Sequence, residues 1–324
     1  MYIAGDMKIK KYKKVVALSG GVCGAKLALG LSHVVDPDDL TVIVNTGDDF
    51  THLGLSISPD IDTLLYTLSD LANPDLGWGR RDETWTFMRA LEQLGGDTWF
   101  KLGDADIALH IERTRKLAAG ETLTQVTATL ARQLGIKTQV LPMSNDRVET
   151  KVRSDTGWLA FQDYFVRQHC EPAVREIAYR GTEKAALSRE VMEALLDDNL
   201  RAIILCPSNP WLSVGPMLAL PGMREMLKTS SVPVIAVSPL IGGQAVKGPT
   251  AKLMRELNLD VSSAEVARYY DGLINGFVVD EVDADTPLPK GMQRAVEPIM
   301  MKTLEDKIRV ARAVLHFADQ LAAN

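Results

Sequence analysis

The chain has 324 residues, of which 46% are hydrophobic and 24% charged, and a formal net charge of −6. That length buries a sizeable core, and that balance is the composition of a folded globular protein. The acidic charge argues against nucleic acid as a partner, and no apolar run is long enough to cross a bilayer, so a cytoplasmic protein with small-molecule partners is expected. Cys23, Cys170 and Cys206 are widely spaced and form no CxxC pair, which points to reduced thiols rather than a disulfide framework or a zinc site.

Residues 1–12 read as a flexible tail rich in lysine, and 13–324 as one domain. Val15-Val16-Ala17-Leu18 has the unbroken apolar character of a strand buried in a parallel sheet. The small residues Ser19-Gly20-Gly21-Val22-Cys23-Gly24 turn the chain into a helix that is under way by Lys26-Leu27. Glycines at such a junction bring bare N–H groups up to a ligand, and the helix N-terminus favours negative charge, so a phosphate is the natural guest. The turn is neither a Walker loop, which needs Gly at Ala25 and Ser or Thr at Leu27, nor a G-x-G-x-x-G loop. A tight strand–helix joint with no ligand is the competing reading. Cys23 reads better as a small turn residue than as a nucleophile, since no His partner is recognisable.

A second strand is expected over 40–45, ending in Asn45-Thr46-Gly47-Asp48-Asp49. Strand, helix and strand make a right-handed βαβ unit, with both polar clusters on one edge of the sheet. A loop rich in Gly and Ser then leads to Ser58-Pro59-Asp60-Ile61-Asp62-Thr63 and a helix over 64–71. Helical spacing over 84–91, 105–118 and 123–134, the last capped by Thr122, replaces the strand signal, so a helical insertion at about 64–135 is expected. Strand signals return at 138–141, 148–152, 158–161 and 174–178. Core strands over 202–206, 232–237 and 276–280 deliver Ser208-Asn209, Ser238 and Asp280 to the same edge. A closing helix places Leu304, Ile308, Ala311 and Leu315 on one face. The fold class expected is α/β, a Rossmann-like and mainly parallel sheet with a helical insertion.

Such a rim offers backbone donors for phosphate and carboxylates for a hard cation. Mg²⁺ is usually held by one or two carboxylates plus substrate phosphates, and Asp48, Asp49, Asp60 and Asp62 are the candidates. Any one of these acids alone reads better as a helix cap or a solvated loop residue. His33, His52, His110, His169 and His316 show no paired spacing, and no serine sits in a G-x-S-x-G elbow, which argues against soft-metal and serine-hydrolase chemistry. Trp78 and Trp99 fall in or beside loops of the insertion, where an aromatic could stack on a flat ring, although packing is the commoner role.

Taken together, the motifs resemble those of the 2-phospho-L-lactate transferase family, which builds the deazaflavin coenzyme F-420. The matching stretches are SGGVCGAKLALGL at 19–31, VNTGDD at 44–49, ISPDIDTLLYTLSD at 57–70 and GWGRRDETW at 77–85. KLGDADIALHI at 101–111, LPMSNDRVET at 141–150, PSNPWLSVGPMLALPGMRE at 207–225 and VSPLIGG at 237–243 continue the series in order. Cys23 departs from the very small residue expected there.

The resemblance implies a homodimeric transferase that joins a guanylylated phospho-acid donor to the deazaflavin riboside Fo and releases GMP. It implies that Asp62 and Lys101 contact Fo and serve catalysis, and that Asp48, Asp49 and Asp62 hold Mg²⁺. Ser19, Gly20, Gly21, Gly24, Ser208 and Asn209 would cradle the nucleotide. The alternative is a nucleotide-sugar-binding regulatory protein of the gluconeogenesis-factor type. Such a protein should carry a Gly- and Ser-rich run directly after the acids, where this chain has Phe50-Thr51-His52-Leu53.

Overall fold

Strand β1 (Lys14–Ser19) is buried on both faces, Val16 and Leu18 toward one core and Val15 and Ala17 toward another, which is why its sequence shows no polar alternation. The computed structural model describes residues 13–74 and 78–323; the expected tail at 1–12, and Gly77 of the 77–85 motif, lie outside the described residues. Six further strands share the sheet: β2 (Leu40–Val44), β3 (Gln139–Pro142), β4 (Leu200–Leu205), β5 (Val234–Val237), β6 (Gly276–Val279) and β7 (Gln293–Val296).

All pairings in this sheet are parallel, and the order is β7-β6-β5-β4-β1-β2-β3. The fold is therefore α/β and Rossmann-like. The chain winds from β1 outward in one direction to β2 and β3, and in the other to β4 and beyond. Ala17 of β1 faces Val42 on one side and Ile204 on the other, so the order reverses between β1 and β4. Ligands of open α/β sheets bind outside the strand C-termini at this reversal.

Helix α1 (Gly21–Ser32) packs against both α2 (Pro59–Leu68) and the closing α6 (Leu304–Ala322) on one face of the sheet. Gly30 makes the α1–α6 contact possible, because a Cβ there would overlap the Lys307 carbonyl. The buried stripe of α6 is Val310, Ala311, Val314, Leu315, Phe317 and Ala318. Of the four residues expected to form it, Leu304 is exposed and Ile308 only half-buried.

Between β2 and β3 run α2, α3 (Thr86–Gln93), α4 (Asp104–Ala118) and α5 (Leu123–Gln133). Thr122 caps α5 in a reciprocal capping box with Gln125. Two features were not expected from the sequence in this half. The run after Asp49 is a hairpin of Phe50–His52 with Leu55–Ile57, turned at Leu53 and Gly54, both with positive φ. Helix α2 begins at Pro59 rather than at Leu64, with Pro in its first turn beside Asp60 and Asp62. A separate antiparallel sheet of Glu149–Ser154, Gly157–Ala160 and Glu176–Arg180 follows β3. Among the described residues no helix is long and apolar enough to cross a membrane.

Candidate functional site

Gly20 ends β1 in extended backbone and caps α1, while Gly21 takes φ +64°, a conformation other residues adopt only with strain. A Cβ on Gly20 would sit 2.6 Å from the Ser213 Cβ and 3.0 Å from Asp60 Oδ2. Gly20 is thus required by crowding and Gly21 by its dihedral angle. No N-cap side chain and no first-turn acid of its own serves α1; Ser208 takes the Gly20 N–H and the buried Asp60 the Gly21 amide, so the amides that follow in the first turn are the ones open to an anion.

Ser208, just past β4, secures this turn from the neighbouring strand. Its Oγ accepts from the Gly20 N–H at 3.1 Å and donates to the Gly20 carbonyl at 2.7 Å. Gly24 lies behind, where a Cβ would be 2.6 Å from both the Ser19 and Ser208 hydroxyls. Asn209 accepts from the amides of Trp211 and Leu212 and donates to Thr250 Oγ1 at 3.0 Å.

The acids sort into two groups because α2 turns by about 100° per residue, so Asp60 and Asp62 face different neighbours. Asp60 accepts from Asn45 Nδ2 at 2.9 Å and lies against the glycine turn. Burial pushes its carboxyl up to about 6, against relief from Asn45 and the Gly21 amide. Burial likewise drives Asp48 well above the carboxylate range, and the charge of Asp60 adds to the effect. Asp49 is raised by burial too, but Oδ2 takes a 2.7 Å hydrogen bond from Ser58. Asp62 gives both oxygens to Arg113, which has no exposed surface: Nη1 reaches Oδ2 at 3.1 Å and Nη2 bonds Oδ1.

Around that pair, Arg113 Nη1 lies 3.3 Å from His110 Nδ1, His110 Nε2 lies 3.1 Å from Asp106 Oδ2, and the Tyr66 hydroxyl donates to Asp106. A cleft of about 540 Å³ joins these pieces. Its lining brings Gly20, Gly21, Asp48, Asp60 and Ser208 into one space with Trp99, Phe100, Lys101 and the stacked pair Phe161 and Phe165. Lys101 is exposed, between Phe100 and the wholly buried Leu102.

Across residues 15–314 the chain matches the family model described as 2-phospho-L-lactate transferase CofD. The chain belongs to the 2-phospho-L-lactate transferase family. Relatives within it include the 2-phospho-L-lactate transferase of Methanosarcina acetivorans, 43% identical over 83% of this chain and 86% of that one. The phosphoenolpyruvate transferase of Streptomyces griseus is 38% identical over 96% of this chain and 100% of its own length. Among solved structures, a UPF0052 family protein from Bacillus halodurans shares the fold with a TM-score of 0.60. Its identity is 17%, and the match covers 94% of this chain and 99% of that one.

In this transferase the structure brings Gly20, Gly21, Asp48, Asp62, Lys101, Ser208 and Asn209 to the cleft. Ser19, Gly24 and Asp49 are not among its lining residues. The side chains of Ser208 and Asn209 bond to the protein's own turns, so their part in a nucleotide cradle is to shape it. The expected metal trio of Asp48, Asp49 and Asp62 does not assemble as three ligands. Asp62 is paired with Arg113, and among the described residues no three His, Cys, Asp or Glu side chains converge on a metal position.

The donor set still fits Mg²⁺ in its usual sparse arrangement. Asp48 Oδ1 and Asp49 Oδ1 are buried without a hydrogen-bond partner, and carboxylate oxygens are the hard donors this ion prefers. Asn45, His110 and Arg113 join the site as residues to which the sequence reading assigned no role, and Asp60, one of the expected metal candidates, lies against the glycine turn.

Proposed function

We propose that this protein transfers the phospho-acid moiety of a guanylylated donor to the deazaflavin riboside Fo, releasing GMP, in coenzyme F-420 biosynthesis. The donor is 2-phospholactyl-, enolpyruvyl- or 3-phosphoglyceryl-diphosphoguanosine; these differ by a few atoms, a scale of discrimination set by pocket shape and one or two hydrogen bonds. The reading rests on one observation. A single cleft joins a glycine turn at the start of a helix and buried acids with a lysine and flat aromatic rings. The family resemblance adds a homodimer, and the reduced thiols and composition a cytoplasmic setting.

In the reaction, the ribityl 5′-hydroxyl oxygen of Fo attacks the phosphorus distal to guanosine. A new P–O bond forms, the hydroxyl proton leaves by way of Asp62 to solvent, and the bond to the bridging oxygen breaks, its electron pair leaving with GMP. Phosphoryl transition states of this kind are loose, so alignment and charge stabilisation outweigh covalent help from the protein.

The first turn of α1, just past the Gly20-Gly21 joint, holds phosphate oxygens. Phe161, Phe165 and Trp99 give the planar ring of Fo an apolar wall, and Lys101 approaches it from the insertion. Asp62, fixed in place by Arg113, accepts a hydrogen bond from an Fo hydroxyl and orients it. A loose transition state asks mainly for such positioning. Mg²⁺, held by Asp48 with Asp49 or Asp60, would offset the charge that builds on the departing phosphate.

Purified protein incubated with Fo and each donor in turn, read by mass spectrometry, tests the assignment. One donor should give the phosphodiester and an equivalent of GMP, and excess EDTA should stop turnover until Mg²⁺ is restored. A protein of the binding and regulatory kind would turn over none of the three, and full turnover in EDTA would remove the metal from the scheme.

A further inference from the structure

The phosphates of a guanylylated donor carry several negative charges into a cleft that already holds Asp48 and Asp60. Among the described residues lining the cleft, the lysines are Lys101, beside Trp99 and Phe100, and Lys247. Lys247 is remote from the insertion in sequence. It lies in the connection after β5, past the small hairpin of Leu240–Ile241 and Gln244–Ala245, and shares the cleft wall with Pro207, Ser208, Asn209 and Thr250.

The connection is tied down on both sides of Lys247. Before it, the Val246 amide donates to the Pro239 carbonyl at 3.2 Å. After it, Asn209 Nδ2 donates to Thr250 Oγ1 at 3.0 Å, and the neighbouring Ser208 is the residue that clamps Gly20. The strand end that secures the glycine turn therefore also secures the loop that carries this lysine. This gives Asn209 a physical purpose besides capping: it sets the distance between turn and loop.

We propose that Lys247 is the cation that meets the donor's phosphates at the start of α1, while Lys101 serves the acceptor. The inference rests on the reading of the cleft as a site for a guanylylated donor, and it assigns a binding residue that this reading did not contain. The electrostatics agree. Burial and the nearby Lys26 push the Lys247 ammonium below the usual lysine range, and an anion on the turn would reverse that shift. An ammonium is a point charge with three rotatable donors, suited to phosphate oxygens whose arrangement changes as one bond breaks.

Lys247→Ala and Lys247→Arg test this by calorimetry with GDP and by fluorescence titration with Fo, beside a thermal melt. Lys247 is exposed, so both variants should melt like wild type. Loss of a charged hydrogen bond to phosphate should weaken GDP about ten- to a hundredfold in Lys247→Ala, leave Fo within about twofold, and be largely rescued in Lys247→Arg. Unchanged GDP affinity in Lys247→Ala, or equal losses for GDP and Fo, would overturn the assignment. Failure of the wild-type protein to bind GDP at all would instead overturn the donor-site reading on which it stands.

Discussion

Arg113 and Asp62 stand 51 residues apart in sequence and form a two-pronged ion pair with no solvent on the guanidinium. Helix α4 supplies the arginine and the first turn of α2 the acid, so the pair binds the insertion to the rim of the sheet. Arg113 Nη1 also reaches the Ser56 carbonyl at 3.3 Å, which fixes the hairpin to the same point.

Removing one partner leaves the other as a buried, unmatched charge, a change that typically costs about 3–5 kcal/mol. Arg113→Met and Asp62→Asn should each destabilise the protein on that order in urea unfolding. The double variant should lose clearly less than the sum, because its two members share one interaction. Single-variant losses below about 1 kcal/mol would mean the pair is not formed in solution. The result also bears on activity, since Asp62→Asn must be assayed at a temperature where it remains folded.

Asp60 gives a pH signature of the acid cluster. Its carboxyl has an ordinary value of 3.8 and is pushed up to about 6 by burial. Between those values the folded state holds the extra proton, so stability from this group is present below pH 3.8 and is lost as pH rises through about 6. Asp60→Asn, which cannot ionise, should therefore melt above wild type at pH 7.5 in EDTA, with the advantage fading by pH 4. Added Mg²⁺ should stabilise wild type at pH 7.5 by binding the folded state and close the gap. An advantage of the same size at both pH values would show that ionisation of Asp60 is not its source.

Gly30→Ala isolates the packing of α1 on α6. Alanine is the better helix former by about 1 kcal/mol, but its methyl group would overlap the Lys307 carbonyl, a backbone atom that cannot swing away. Overpacking of this kind costs about 1–3 kcal/mol, so the steric term should win and lower the urea midpoint. A raised midpoint would mean the helices part at little cost.

The sheet was legible where burial is two-sided. Strands β1, β2, β4, β5 and β6 are runs of Val, Ile, Leu and Ala with little else, and such runs have few other places to go. Strand β7 was not, because Gln293–Val296 lies at the sheet's edge with three of four side chains exposed and no apolar run to mark it. The hairpin after Asp49 escaped for a related reason, its strands being three residues each and containing Thr51, His52 and Ser56.

In the site, strand ends announced Gly20, Gly21 and Asp48, since chemistry at a parallel sheet's C-terminal edge needs no tertiary detail. Arg113 and His110 gave no such sign. Each is one polar residue on a helix, and only the packing of α4 against the hairpin turns them inward. Asp60 and Asp62 were visible as candidates, but the partner of each was decided by where α2 begins, and the sequence reading started that helix at Leu64 instead of Pro59.

Lys101→Ala addresses how the cleft divides the two substrates. Lys101 belongs to the insertion, exposed beside Phe100 and Trp99, and is distant in sequence from both Gly20-Gly21 and Ser208. Its removal deletes one charged contact and leaves untouched the Ser208–Gly20 bonds that shape the phosphate end. A lost charged hydrogen bond costs about 1.5–3 kcal/mol, which is roughly ten- to more than a hundredfold in affinity. Fo binding should weaken on that order while GDP binding changes much less, the reverse of the pattern expected for Lys247→Ala. Fluorescence titration with Fo and calorimetry with GDP read both in one variant. Equal losses would place Lys101 on the diphosphate, and no loss for either would return it to a solvated loop; each result would refute a cleft divided between acceptor and donor along this axis.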